Sequence, residues 1–377
     1  MLVINLKKNW LSGNLPRELS ALSAVKTLKF FQNSLTGTIP TEVFSLKGLM
    51  AIDFEQNQLS GPAFPVPGIF QAQDTLVDYL VSDNVLTGKI PDTIGSILSL
   101  EKLWIANNDL TGSIPNTISE LTELDSFIAY TSSLTGAIPE IGKLTKLRIL
   151  QLYGNSLIGS IPSSIGSCTS LEKLYLNDNV LTGIIPSSAS QLTNLVEFFG
   201  DNNNLTGIIP DGFSEFPNLQ NITLANNDLT GKIPSFTSPS LTFLDLTNNR
   251  VDGAIPSSIF NSDMLKFVYL TGNHLVGQIP AIFLESPSLM DLWLNDNELT
   301  GAIPNPSIGQ LPFITEILMN ENMLSGAVPD GLCDLREVLG GFTSLHADCF
   351  PAEGIDEPNN VCATGCCTAC STGKQHS

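Results

Sequence analysis

Apolar residues recur along this chain in one short pattern, Leu-x-x-Leu-x-Leu, which is followed by Asn and then by Gly. One copy contains Leu174-x-Leu176-x-x-Asn179-x-Leu181-x-Gly183. The alternation of apolar and polar residues before the Asn predicts a short strand with one side facing a core. The regular return of the pattern predicts stacked coils, each resting on its neighbours.

A Gly-x-(Ile/Leu/Val)-Pro string marks the place where each coil turns. Most copies are 24 residues apart, and a degenerate copy at Gly61 fills the one long gap, so the sequence predicts fourteen coils. Gly permits a crowded turn there, and Pro prevents a helix and sets an extended return path. The strings begin at Gly13, Gly37, Gly88, Gly112, Gly136, Gly159, Gly183, Gly207, Gly231, Gly253, Gly277, Gly301 and Gly326.

Asn stands four residues before each of these glycines, and Ser132 is the one exception. Backbone amides at a turn inside the stack have no strand partner, and buried polar groups need one. Because the Asn side chain both donates and accepts hydrogen bonds, we expect a column of Asn to satisfy these amides and link neighbouring coils.

The pattern resembles the plant-type leucine-rich repeat over residues 1–330. The resemblance implies an α/β repeat solenoid: a superhelix with a concave parallel sheet, a second set of short strands and convex 3₁₀ turns. It also implies a binding module and not an enzyme. We expect residues 331–370 to form a C-terminal cap and 371–377 a tail. Because Met1 leads directly into a repeat, an N-terminal cap is expected to be missing.

Composition narrows the class of partner. The net charge of −20 and the isoelectric point near 4.3 disfavour nucleic acid and suit a basic partner or divalent cations. With 42% hydrophobic residues the chain has ample apolar surface to bury, which disfavours disorder. No apolar run approaches the roughly 18 residues that a membrane span needs, so no transmembrane segment is predicted.

Residues six, four, two and one positions before each Asn are predicted to point outwards from the concave sheet. Large apolar and aromatic side chains there predict a ligand-binding stripe, because exposed aromatics on rigid strands are common interface anchors. Alternatively, they pack on one another and stiffen the sheet. The stripe comprises Leu80, Trp104, Ile128, Tyr130, Tyr153, Tyr175, Phe199, Tyr269 and Trp293.

Carboxylates share this predicted face, and they leave a solvated acidic rim, a footprint for a basic partner or a weak calcium site as alternatives. Catalysis would need a carboxylate pair in separate environments or a nucleophile beside a base, within a site that excludes water. An open sheet offers neither, and the three His are not spaced as ligands, so no catalytic residue, metal or cofactor is predicted. The carboxylates are Asp53, Glu55, Asp83, Asp178, Asp201, Asp245, Asp296 and Glu321.

One cysteine is isolated and six lie together near the end. Cys168 takes the position that Leu144 fills in the preceding coil, which predicts a buried free thiol. A short cap without its own core is commonly held by disulfides, so three bridges are expected, with zinc as the alternative. The Cys-x-x-x-Cys-Cys-x-x-Cys ending resembles caps of secreted leucine-rich repeat proteins of diatom-like algae. The six are Cys333, Cys349, Cys362, Cys366, Cys367 and Cys370.

Cap disulfides predict an oxidising compartment, and hence a secreted, extracellular or cell-surface protein. Asn204 and Asn221 begin glycosylation sequons, although the repeat produces such triplets readily. The leading hypothesis is recognition of a protein, peptide or glycan along the concave face. The alternatives are a structural subunit, a glycosidase inhibitor, and an ice-binding protein that uses the Thr before each repeat Gly. The segment Pro62–Gly68 is expected to form a lateral bulge or a partner-contacting loop.

Overall fold

A computed structural model describes residues 2–64, 75–307, 309–326, 328–338, 341–348 and 369–371. The chain divides into two compact units, Met1–Leu195 and Val196–Ser377. In each unit, successive coils contribute one strand to a first parallel sheet and one strand to a second parallel sheet. The leucine-rich repeat solenoid predicted from the sequence is confirmed.

In the first unit, the strands of each sheet follow chain order and pair in parallel. The Cα partners of Phe127 are Leu103 and Leu150 on the two neighbouring strands, so inward apolar residues of successive coils stack. The first-sheet strands are Leu2–Asn5, Val25–Lys29, Ala51–Asp53, Asp78–Leu80, Lys102–Trp104, Ser126–Ile128, Ile149–Gln151 and Lys173–Tyr175. The second-sheet strands are Ser12–Asn14, Ser34–Thr38, Gln58–Pro62, Val85–Gly88, Asp109–Ser113, Ser133–Ala137, Ser156–Gly159 and Val180–Ile184.

The second unit repeats this arrangement and adds strands from the C-terminal segment. Ser344–Asp348 pairs with Glu316–Leu318, and Ala369–Ser371 pairs with Ser344–Asp348, both in parallel. The repeat pattern did not predict these two additions. The other first-sheet strands are Glu197–Phe199, Asn221–Thr223, Phe243–Asp245, Phe267–Tyr269 and Asp291–Trp293. The second-sheet strands are Asn204–Gly207, Asp228–Lys232, Arg250–Gly253, His274–Gly277, Glu298–Ala302 and Met323–Ser325.

Short 3₁₀ helices begin directly after the repeat Pro in both units. The extended Pro16 precedes one such helix, and its carbonyl accepts a hydrogen bond from the Leu19 N–H at 3.1 Å. One α-helix, Asp330–Val338, follows the last coil. The 3₁₀ helices are Arg17–Ala21, Thr41–Ser45, Asp92–Ser96, Asn116–Glu120, Ser163–Ser167, Ser187–Gln191, Asp211–Glu215, Ser257–Asn261 and Ala281–Glu285.

The core lies between the two sheets and the 3₁₀ helices, where the pattern leucines are excluded from solvent. Leu171, Leu174 and Leu176 are at most 2% exposed. Cys168 is a free thiol in the same layer, and its Sγ lies 3.3 Å from the Ile141 carbonyl oxygen. Burial raises the pKa of this thiol to about 11. The prediction of a buried free cysteine is confirmed.

The Asn column links each coil to its neighbours, as predicted. The Asn108 Nδ2 donates to the Val81 carbonyl of the preceding coil at 3.0 Å, and its Oδ1 accepts from the Leu86 N–H at 2.9 Å. Ser132 is too short to reach equivalent partners. Its Oγ is buried without a hydrogen-bond partner among the residues that the structure describes.

The residue directly before most of these Asn adopts a left-handed backbone. Asp83 has φ 57° and Asn107 has φ 49°, and Gly154 occupies the equivalent position with φ 64°. Gly, Asn and Asp adopt this conformation most readily and fill most of these positions. The exceptions with the same left-handed backbone are Lys8, Gln32, Gln56, Thr131 and Glu321.

The fourth coil departs from the pattern because Tyr79, in its first-sheet strand, replaces a core leucine. Its side chain is fully buried, and its hydroxyl donates to the Ala63 carbonyl. Ala63 and Phe64 are also buried, and the Phe64 ring centroid lies 5.6 Å from that of Tyr79. The expectation of a bulge or contact loop over Pro62–Gly68 is therefore wrong for these two residues, which complete the core; residues 65–68 lie outside the described part.

Candidate functional site

The candidate site is the outer side of the first sheet, here called the first-sheet face. In the first unit, the strands place Leu80, Trp104 and Ile128 side by side as Cα partners. The same row continues to Gln151 and Tyr175. All five side chains are half-buried, because neighbouring coils cover their flanks and leave the outer surfaces accessible. The structure thus places the predicted stripe residues Leu80, Trp104, Ile128 and Tyr175 in one row, in which the polar Gln151 lies between the last two.

A second row beside it carries stacked tyrosines. The rings of Tyr130 and Tyr153 are parallel within 9°, with centroids 4.5 Å apart, and Tyr153 contacts Tyr175 at 6.4 Å. Trp104 Nε1 donates to Ser126 Oγ at 2.8 Å, so its polar edge is satisfied within the sheet. Ring faces and edges are what this surface offers to a ligand.

The second unit carries the remaining predicted stripe residues on its own first-sheet face. Phe199 is the Cα partner of Thr223, which pairs with Asp245, and Asp245 pairs with Tyr269. Tyr269 in turn pairs with Trp293. Phe199 and Tyr269 are therefore separated by two polar residues in this row, and they do not form one continuous aromatic stripe.

The sequence analysis missed two members of the aromatic group in the second unit. Phe243 and Phe267 stand six residues before their Asn, with ring centroids 5.8 Å apart. Phe243 also lies 5.3 Å from Tyr269, whose ring stacks on Trp293 at 4.0 Å. The sequence could have indicated both residues, because side chains six positions before the Asn were expected to point outwards from the sheet. The four rings are called the Phe243–Trp293 cluster below.

The polar atoms of this cluster are held by carboxylates on the same face. The Tyr269 hydroxyl donates to Asp291 Oδ2 at 3.0 Å, and Trp293 Nε1 donates to Glu316 Oε2 at 2.8 Å. Burial, followed by the hydrogen bond and the charge of Asp291, raises the pKa of Tyr269 far above its ordinary range. This tyrosine therefore stays neutral and serves as a fixed aromatic surface.

Carboxylates gather at one place on the first-sheet face of the first unit. Glu55 is half-buried, and burial followed by the charge of Asp53 raises the pKa of its carboxyl to about 7. Burial also raises the pKa of Asp53, although a backbone hydrogen bond and the charges of Lys29 and Lys7 oppose the rise. The Asp83 carboxylate accepts a hydrogen bond from Asn107 Nδ2 at 2.6 Å.

The predicted modification sites are placed unevenly. Asn204 is exposed at the start of a second-sheet strand, whereas Asn221 is half-buried on the first-sheet face. Cys333 lies on the α-helix and is disulfide-bonded, and Cys370 lies in the strand Ala369–Ser371. The other four predicted cap cysteines are outside the described residues, so the three-bridge cap stays a prediction. They are Cys349, Cys362, Cys366 and Cys367.

The residues that the structure describes also bear on metal binding and on membrane insertion. Those residues contain no group of three or more His, Cys, Asp or Glu side chains arranged to hold a metal ion. None of their helices has the length and apolar character that crossing a membrane requires.

Known families and structures agree with the geometry. A leucine-rich repeat family model matches residues 169–229, and a second one matches 99–121, 146–168 and 240–262. A comparison with curated proteins finds no match.

Several solved structures are similar to this chain. The structure of PEPR1–AtPEP1 has 26% identity and a TM-score of 0.82, over 96% of this chain and 53% of that one. The ectodomain of the Arabidopsis receptor kinase HAESA with its IDA peptide hormone has 29% identity and a TM-score of 0.74, over 91% of this chain and 62% of that one. A plant ice-binding protein has 26% identity and a TM-score of 0.51, over 73% of this chain and 81% of that one.

The chain therefore spans between about half and two thirds of the first two of these structures. The similarity to these structures extends over at least 91% of this chain and covers its repeated coils. This chain has the leucine-rich repeat fold, and it is similar to plant receptor structures with that fold.

Proposed function

We propose that this protein recognises a peptide or an extended protein segment along its first-sheet face, and that it acts outside the cell as a binding module. The stacked tyrosines of the first unit are the observation that carries the proposal. Tyr130 and Tyr153 lie parallel at 4.5 Å on rigid strands, and their outer surfaces remain accessible. Aromatic anchors fixed in this way bind partners at a low cost in side-chain entropy.

The competing interpretation is that these tyrosines only stack on one another and bind no ligand. It accounts for the buried flanks of these rings, because cross-strand aromatic pairs stabilise a sheet. It does not explain why large apolar side chains collect on this one face. Leu80, Trp104 and Ile128 form a half-buried row beside the tyrosines and fill no core. Large apolar groups left at a surface in adjoining rows are typical of an interaction site.

The similar structures support a peptide as the partner. The HAESA ectodomain is in complex with a peptide hormone, and its sequence is 29% identical to this chain. Because the chain spans only part of that ectodomain, the partner of this protein is inferred from its own face and from that likeness together.

A peptide display library panned on the purified protein tests the proposal. We expect the wild type to enrich a family of peptides, and Tyr130→Ala combined with Tyr153→Ala to lose at least about tenfold of their affinity, as expected for removal of central aromatic anchors. Thr135→Ala on the second sheet is the matched control and should bind normally. Failure to enrich any sequence family, or full binding by the double variant, would contradict the proposal.

Ice binding is a second candidate, because a separate surface favours it. The outer side of the second sheet in the first unit carries an uncharged, exposed group of residues on three adjoining strands. Thr135 is the Cα partner of Ser156, and Ile158 that of Val180. A regular array of Thr and apolar residues suits an ordered water surface, and one similar structure is a plant ice-binding protein. The exposed group is Ser133, Thr135, Ser156, Ile158, Val180, Thr182 and Ile184.

Inhibition of ice recrystallisation separates the two candidates. An ice-binding protein should inhibit recrystallisation, and Ile158→Lys should abolish the effect while Tyr153→Ala preserves it. Absence of inhibition by the wild type would eliminate this second candidate and leave peptide recognition unaffected.

A further inference from the structure

The row two positions before the Asn column in the first unit changes from acidic to aromatic along the sheet. The five consecutive members that make this change are Glu55, Ser82, Ala106, Tyr130 and Tyr153, and the same row holds Lys7 and Phe31 before them and Asn177 after them. Backbone hydrogen bonds fix each step of this row. The carbonyl of Ser82 accepts from the Gln56 N–H at 3.1 Å, that of Ala106 from the Asp83 N–H at 2.9 Å, and that of Tyr130 from the Asn107 N–H at 2.9 Å.

A buried hydroxyl without a partner lies inside this row. Ser82 is 4% exposed, and its Oγ makes no hydrogen bond. Its interaction with the Glu55 carboxyl opposes the rise in the pKa of that group. A buried polar atom left unsatisfied costs about 1–3 kcal/mol. A donor supplied by a ligand would remove this cost.

The carboxylates act on the tyrosine end of the row through their charge, although two strands separate the strand before Glu55 from the strand before Tyr130. Burial, and then the charges of Asp83 and Glu55, raise the pKa of Tyr130. Ala106, between Ser82 and Tyr130 in the row, is fully buried, so neighbouring side chains close over it. Carboxylate and aromatic surfaces therefore adjoin.

The negative charge here has no close counter-ion. Within the part of the chain that the structure describes, no Lys or Arg nitrogen lies within 4 Å of the carboxylates of Asp53, Glu55 or Asp83. Lys29 and Lys7 act only through longer-range charge, and they act on Asp53, at the far end from the tyrosines. One oxygen of Asp83 accepts from Asn107, and Asp53 Oδ1 is buried without a partner.

The arrangement fits an organic cation better than a metal ion. The described carboxylates do not form a group that could hold a metal. A guanidinium or ammonium group can instead donate to separate acceptors in a line and lie against an aromatic ring. A guanidinium group can bind the carboxylates and also lie against an aromatic ring, because it is planar and carries five donors.

Resting on the proposed function, we propose that Glu55, Ser82, Asp83 and the Tyr130–Tyr153 pair form a subsite for a cationic side chain of the bound peptide, with arginine as the preferred residue. The carboxylates and the Ser82 hydroxyl accept hydrogen bonds from the guanidinium group. The accessible tyrosine surface holds the adjoining part of the peptide, so this subsite fixes which end of the peptide lies towards the first coils.

Two synthetic bead libraries test the subsite. They are identical random hexapeptides, except that one fixed position carries arginine in the first library and citrulline, its uncharged isostere, in the second. Capture is measured at pH 8, where the Glu55 carboxyl, with its pKa of about 7, is ionised. The proteins compared are the wild type, Glu55→Gln, Asp83→Asn and Glu140→Gln, and the last removes one exposed charge elsewhere.

We expect the wild type and Glu140→Gln to capture arginine beads in at least about tenfold excess over citrulline beads, the effect of one well-placed charge pair. Glu55→Gln and Asp83→Asn should lose most of this preference and still capture beads from both libraries. Equal capture of both libraries by the wild type, or an equal loss of preference in Glu140→Gln, would overturn the subsite alone. No capture from either library would overturn the proposed function and the subsite with it.

Discussion

Trp293 donates a hydrogen bond from Nε1 to Glu316 Oε2 at 2.8 Å, while its ring stacks on Tyr269 at 4.0 Å. Glu316 belongs to the next strand of the first sheet, so the indole is held from two neighbouring coils. A ring fixed in this way has little rotamer freedom left to lose on binding, which favours its use as an anchor.

Breaking that hydrogen bond should loosen the indole. We expect Glu316→Ala to increase acrylamide quenching of Trp293 fluorescence, because the ring loses its polar contact, and Glu316→Gln to preserve most of the protection, because it keeps an acceptor. The measurement uses a Trp10→Phe, Trp104→Phe background, so that Trp293 is the one fluorophore. Equal quenching in all three proteins would show that stacking on Tyr269 alone holds the ring.

Completing the Asn column should stabilise the first unit. In Ser132→Asn we expect the new side chain to bond to the neighbouring coils as Asn108 does, and to raise the free energy of unfolding by about 1 kcal/mol. Thermal or urea denaturation measures the change. The reverse substitution, Asn108→Ser, is the matched control and should lower the free energy of unfolding by about 1–3 kcal/mol, because it leaves buried backbone groups unpaired. A lower midpoint for Ser132→Asn would show that this coil has no room for the longer side chain.

Ionisation of Glu55 should oppose folding. Its pKa in the folded protein is raised from 4.5 to about 7, mainly by burial, so the folded state holds this proton more tightly than the unfolded chain. The contribution of Glu55 to the free energy of unfolding is therefore highest at low pH, falls as pH rises from about 4.5 to about 7, and is level above that range.

Glu55→Gln has no such proton, so it should raise the melting temperature at pH 8 and change it little at pH 4. Melting curves across this range measure the difference, and Glu140→Gln, at an exposed position, is the control that should show no such dependence. A Glu55→Gln effect that was the same at every pH would contradict the burial of a titrating carboxyl.

The Cys168 thiol should be unreactive in the folded protein. Its side chain is fully buried and its pKa is raised to about 11, so at pH 8 both access and thiolate are lacking. We expect the peptide that contains Cys168 to remain unmodified by iodoacetamide in the native state and to be fully modified in guanidinium, as followed by mass spectrometry. Rapid modification of native protein would place this thiol at the surface.

The solenoid could be predicted because each coil repeats the same local requirements: inward leucines, an Asn for the turn amides, and Gly and Pro at the return. The contacts that single residues make within the core were harder to predict. Tyr79 occupies a leucine position, and its acceptor, the Ala63 carbonyl, lies in a stretch that looked like a loop. No periodic signal indicates such a pairing, because it depends on the shape of one core layer.

The candidate site was likewise predictable in its positions but not in its contacts. The columns predicted which residues would share a face, and the registers of Trp104 and Ile128 agree. The positions alone did not predict which side chains of different columns contact one another. The edge-to-face contact of Phe243 with Tyr269 and the stacking of Tyr130 on Tyr153 depend on side-chain rotamers, which a pattern of positions does not fix.

The third coil holds three residues more than the usual 24, and yet neither sheet loses its alignment. Ala51 still pairs with Asp78, and Gly61 with Leu86, on either side of the added residues. The length of a coil can thus differ without a shift in the register of either sheet. Coils that differ by a few residues should therefore leave the aromatic rows aligned, which gives engineers and evolution alike a way to vary the array without losing its binding face.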